Sequence, residues 1–114
     1  MTGAVHDLGD GHTLRFVAWA PDRALNPQYD GIPDVERWGA IIAHPAGPTP
    51  IVPSHLASGQ CEGMVTFDGE VQRQLSADRP RWTVESWEPL TLSPSVLCAC
   101  GDHGFVRDGR WVRA

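Results

Sequence analysis

Near the end of the chain, two short segments rich in β-forming apolar residues, Phe105-Val106-Arg107 and Arg110-Trp111-Val112, lie on either side of Asp108-Gly109. That dipeptide is a strong local signal for a two-residue β-hairpin, because a type I′ turn needs positive φ at both central positions and Asp-Gly tolerates it. The C-terminus must therefore be a hairpin. Two short strands are at best marginally stable alone in water, so something has to tie this ribbon to the rest of the protein.

The residues just before it can supply the tie. Cys100-Gly101-Asp102-His103-Gly104 has the two-residue gap of a zinc knuckle, with glycines where the turn must tighten. Cys98 lies two positions earlier, so in an extended strand its side chain leaves on the same face as that of Cys100, with Cα atoms roughly 6–7 Å apart. A modest bend brings both sulfurs within about 2.3 Å of one Zn²⁺. Three soft ligands leave a tetrahedral set one short. Cys61, which opens a strand after a long loop, is the first choice to complete it, giving Cys61, Cys98, Cys100 and His103 as the expected zinc ligands. His44 and His55 follow as alternatives for the fourth position, with His6 and His12 behind them. Two other readings stay open: cysteines that are merely buried apolar residues, and a redox dithiol.

Twelve glycines and ten prolines divide the remaining chain into short segments. Gly9-Asp10-Gly11 is a turn leading into a strand over 12–19, with Leu14, Phe16 and Ala18 on one face. Residues 21–33 form a loop anchored by Leu25, Tyr29 and Ile32, and Pro33 to Trp38 suits a single helical turn. Strands follow over 38–44, 61–67 and 81–87. Glu70 to Leu75 suits a helix or a strand, since Val71 and Leu75 share a face in either, and Asp68 as an N-cap favours a short helix. Leu90 to Leu97 bends at Ser93-Pro94-Ser95 before delivering the cysteines. The fold class expected is mainly β, a small α+β arrangement of five to seven short antiparallel strands ending in a zinc-knuckle-like hairpin. At 114 residues this is one domain, 1–114, with a Pro/Gly-rich loop at 45–60.

All nine basic residues are arginine. The absence of lysine excludes a P-loop lysine, a Schiff-base lysine and a Ser–Lys nucleophile pair. A net charge of −5 argues against nucleic-acid binding, and Arg107, Arg110 and Arg113 read as a solvated hairpin face. No apolar run approaches the length of a membrane span, and the first residues have neither the basic start nor the apolar centre of a signal peptide. A cytoplasmic location is expected, where cysteines serve as thiols or metal ligands. HExxH and the zinc-deaminase pattern are absent. Ser93 and Ser95 lack a G-x-S-x-G context and read as turn serines. Asp102 reads as a solvated turn acid. Five tryptophans supply core area, with Trp87 and Trp111 the candidates for an exposed partner surface.

The tail LSPSVLCACGDHGFVRDGRW resembles the C-terminal signature of a small family of proteins from actinobacteria and their phages. DLGDGHTLRFVAWAPDR and MVTFDGEV are similar to the same group, so the resemblance spans most of the chain, the 45–60 loop being less typical. Related tail domains occur near ubiquitin-like conjugation components in some bacterial gene clusters. The resemblance implies a metal-binding accessory protein and carries over no catalytic residue. The function expected is thus a non-enzymatic, metal-stabilised binding or accessory protein, phage-encoded and acting on a host or other cellular protein. The alternative is a zinc-dependent hydrolase with an open coordination position and Glu62 or Glu85 as base.

Overall fold

The computed structural model describes residues 4–45, 60–98 and 100–114. Nine strands, one 3₁₀ turn and one short helix make up the described residues: β1 (His6–Gly9), β2 (His12–Trp19), the 3₁₀ turn Pro27–Tyr29, β3 (Val35–Pro45), β4 (Gln60–Thr66), α1 (Glu70–Leu75), β5 (Thr83–Trp87), β6 (Leu90–Ser93), β7 (Val96–Leu97), β8 (His103–Arg107) and β9 (Arg110–Arg113). The fold is mainly β. Its strands form three antiparallel sheets, β1-β2-β3-β4, β5-β6 and β7-β8-β9. The interior of the expected 45–60 loop lies outside the described residues, and its two ends, Pro45 and Gln60, are strand residues paired with each other.

Alternation builds the core. Leu14 on β2, Ala40 and Ile42 on β3 and Val65 on β4 face inward and meet Leu90 and Leu92 of β6, Val96 of β7 and Val106 of β8. Every sheet thus contributes to one apolar cluster, in which each fully buried Leu, Ile or Val stabilises the fold by roughly 1.5–3 kcal/mol relative to exposure. The C-terminal hairpin forms as its turn dictates: Asp108 and Gly109 have φ of 51° and 73°, and Arg107 pairs with Arg110.

Several expectations are corrected by packing. Residues 35–38 are not a helical turn but the first part of β3, because Val35 pairs with Trp19 and lengthens the ladder with β2. Ala18 turns outward because the register shifts between Val17 and Trp19. Leu25 is 79% exposed and anchors nothing, whereas Tyr29 packs edge-on against Trp19. The cap of α1 is Gly69, with no side-chain capping bond, since Asp68 is engaged by Arg73 and Arg81. Trp111 is buried. Trp87 is 45% exposed, and the Arg37 guanidinium lies over both it and Phe16 beside a cavity of about 450 Å³ at the turn end of the β8–β9 hairpin. Among the described residues no helix is long and apolar enough to cross a membrane.

Candidate functional site

The site begins as a row across the large sheet. His44 of β3 pairs in register with Cys61 of β4, and both side chains face inward because they share the phase of Ile42 and Val65. His12 of β2 is in phase with Leu14 and stacks its ring on His44 at 5.3 Å. Over this row folds the turn that follows β7. Gly101 N donates to Cys98 O at 2.9 Å and Cys98 N to Asp102 O at 2.8 Å, which closes the turn and aims its cysteines at the sheet.

Ligand atoms of His44, Cys61, Cys98 and Cys100 consequently lie within 4.8 Å of one another, a cluster able to hold a metal ion. Its dimensions fit. Cys61 Sγ and Cys98 Sγ are 3.4 Å apart, close to the edge of about 3.8 Å that two sulfurs at about 2.3 Å from one tetrahedral ion would span. His44 Nδ1 donates to Pro45 O at 2.8 Å, which leaves Nε2 with the lone pair, and Nε2 is buried with no hydrogen-bond partner among the described residues. A backbone acceptor on one ring nitrogen is the usual way a protein fixes the tautomer of a metal-binding imidazole. Burial, followed by hydrogen bonds with Cys98 and Cys100, pushes the Cys61 thiol from 9.0 up to about 12. Such packed thiols favour a cation that draws off their protons.

Of the four ligands expected from sequence, the structure brings Cys61, Cys98 and Cys100 together and sends His103 elsewhere. His103 opens β8 on the outward phase, and its Nε2 sits 2.9 Å from Ser95 Oγ. His44, an alternative by sequence, takes its place in the cluster. His55 lies outside the described residues, and His6 packs edge-on against Phe16. Asp102 is not a solvated turn acid. Its side chain is 18% exposed, with Oδ2 2.7 Å from His12 Nε2 and 3.6 Å from His44 Nδ1. Glu62 leaves the opposite face of β4 towards Arg15, and Glu85 is exposed, so neither acid stands by the cluster as a base.

Ser95 is the residue that sequence reasoning set aside. It lies between Pro94 and β7, with its carbonyl held by Trp82 Nε1 at 3.2 Å. The antiparallel register of Val96 with Gly104 and of Leu97 with His103 folds His103 back onto it. Hairpin pairing could have found this contact, because a serine immediately before one strand and a histidine at the start of its partner become neighbours. His12 and His44 carried a similar signal, each two residues from an inward aliphatic on its strand.

A small β protein with a serine–histidine pair beside a three-cysteine, one-histidine cluster is therefore what the chain presents. A family model described as bacterial ubiquitination-like system serine protease (BubE) matches residues 55–114, and the chain belongs to that family. Neither the curated proteins nor the solved structures compared give a match. The family overturns the expectation of a non-enzymatic accessory protein, and the zinc-hydrolase alternative fits it no better.

Proposed function

We propose that this chain is a serine peptidase of a bacterial ubiquitination-like system, with Ser95 as nucleophile and His103 as general base. The observation that carries the reading is the 2.9 Å approach of His103 Nε2 to Ser95 Oγ, and the family description supports the reaction class. A hydroxyl is a weak nucleophile until a base within hydrogen-bond reach takes its proton. In the first half-reaction Ser95 Oγ attacks the carbonyl carbon of the scissile bond while its proton passes to His103 Nε2. The C–N bond then breaks, the proton leaves on the amine, and an acyl-serine remains. Water attacks that ester in the second half, giving its proton to His103 and releasing Ser95 with the acid product.

Zn²⁺ is the ion we assign to Cys61, Cys98, Cys100 and His44. Three thiolates and an imidazole make a closed tetrahedral set, the pattern of a structural rather than a catalytic zinc, and when bound it supplies a cross-link between β3, β4 and the turn after β7. Thiols gathered as ligands suit a reducing compartment, so we place the protein in the cytoplasm.

A fluorophosphonate probe tests the nucleophile. The wild-type chain is expected to label at Ser95 and Ser95→Ala not at all, while His103→Ala loses ~10²–10⁴-fold in labelling rate, the usual worth of a general base. Labelling of Ser95→Ala at the wild-type rate would overturn the assignment.

A further inference from the structure

We infer that Asp102 and His12 are positioning residues for His103: a partly buried carboxylate–imidazole clasp, made across 90 positions of chain, that turns the neighbouring imidazole onto Ser95. This rests on the serine-peptidase reading above. Among the described residues no carboxylate pairs with the second nitrogen of His103, and the ring is exposed. No acid among the described residues holds the base by its ring, as one does in a triad. The orientation of His103 must therefore come from its backbone.

The clasp supplies it. Asp102, Gly104 and Val106 share the inward phase of β8 and its lead-in, while His103, Phe105 and Arg107 share the outward one, as a period of two requires. Fixing the Asp102 side chain inward fixes the His103 side chain outward. Asp102 is fixed by His12, whose Nε2 lies 2.7 Å from Oδ2. His12 is itself immobile: it is 3% exposed, its Nδ1 meets Asp10 O at 2.8 Å, and its ring lies between Trp111 at 4.1 Å and His44 at 5.3 Å. Across the backbone, Asp102 O accepts from Cys98 N, which ties the clasp to the cysteine turn. His12 lies outside the 55–114 segment matched by the family, so the large sheet contributes to the geometry of a pair it does not carry.

The test reads His103 directly and labelling separately. Heteronuclear NMR of the histidine rings in the zinc-loaded full chain should show contacts between the His103 ring and the Ser95 methylene. They should disappear in Asp102→Ala and in His12→Ala and persist in Asp102→Asn, whose side-chain oxygen still accepts from His12. With the fluorophosphonate probe, both alanine variants should lose ~10–100-fold in the maximal inactivation rate, as misplacement of a base costs. The half-saturating probe concentration should stay unchanged, and the double variant should be no slower than either single one. A merely structural role would lower the folded fraction without splitting those two constants or being rescued by asparagine. If Asp102→Ala does not fold, His12→Ala and Asp102→Asn give the same comparison. Folded His12→Ala with its His103–Ser95 contacts and labelling rate intact would overturn the inference. Should the wild-type contacts be present and be lost in the variants while no chain labels at Ser95, the clasp stands and the peptidase reading fails.

Discussion

Gly104 shows how narrowly single atoms set this site. A Cβ at that position would lie 2.5 Å from Cε2 and Cζ2 of Trp111 and 2.8 Å from its Nε1. The indole cannot retreat, because its other face is stacked on His12 at 4.1 Å with the planes 11° apart. Gly104→Ala should therefore destabilise the protein by ~1–3 kcal/mol, the typical cost of overpacking, seen as a lower urea midpoint at unchanged slope. Its labelling rate should fall as well, since the displaced stack carries the partner of Asp102. The opposite result, a stability equal to wild type, would mean that Trp111 has room the packing denies it. Ser95 was illegible for a related reason. Its neighbours in sequence are those of any turn serine, and only strand pairing brings His103 to it.

At the scale of elements, α1 is held by charge rather than by its cap. Asp68 accepts from Arg73 Nε and Nη2, both at 2.9 Å, and from Arg81 Nε at 3.1 Å, joining the helix to the lead-in of β5. The hydrogen bonds from Arg73, with those from Arg81, lower the Asp68 carboxyl from 3.8 to about 2. A carboxyl depressed in the folded state contributes stability that is fully present above its unfolded value and is lost as pH falls through the folded one. Wild-type stability should accordingly decline between pH 3.8 and about 2, and Asp68→Asn should show a shallower decline over that window by urea titration at each pH. Elements of this kind divide sharply in legibility. The Asp-Gly hairpin and the strand from His12 to Trp19 were readable because turn chemistry and local periodicity determine them, whereas six residues from Glu70 to Leu75 fit helix and strand alike and the cap that favoured the helix is not the one it uses. The extension of β3 back to Val35 was not, because a partner strand 16 residues away by register, Val35 opposite Trp19, overrides the local preference of Pro33-Asp34.

For the whole molecule, an ion in the cysteine cluster would add a cross-link to the apolar core that the three small sheets already share. The cluster's members come from β3, from β4 and from the turn between β7 and β8, so an ion there joins the large sheet to the ribbon that carries His103. Structural zinc contributes ~10–16 kcal/mol of apparent binding free energy, comparable to the ~5–15 kcal/mol that stabilises a typical domain. Removing it should therefore release the C-terminal ribbon rather than merely soften it. Two variants separate the ligand role from the catalytic one. Metal analysis should find one zinc per wild-type chain and none in His44→Ala, which should also lose amide-exchange protection in β7 and β8 and Ser95 labelling. His103→Ala should retain its zinc and its protection and lose only labelling. A chelator should reproduce the first pattern, and added Zn²⁺ should reverse it. If His103→Ala were instead the variant that lost the metal, the ligand set would be the one the Cys100–His103 spacing first suggested, and His103 could not serve Ser95 as a base.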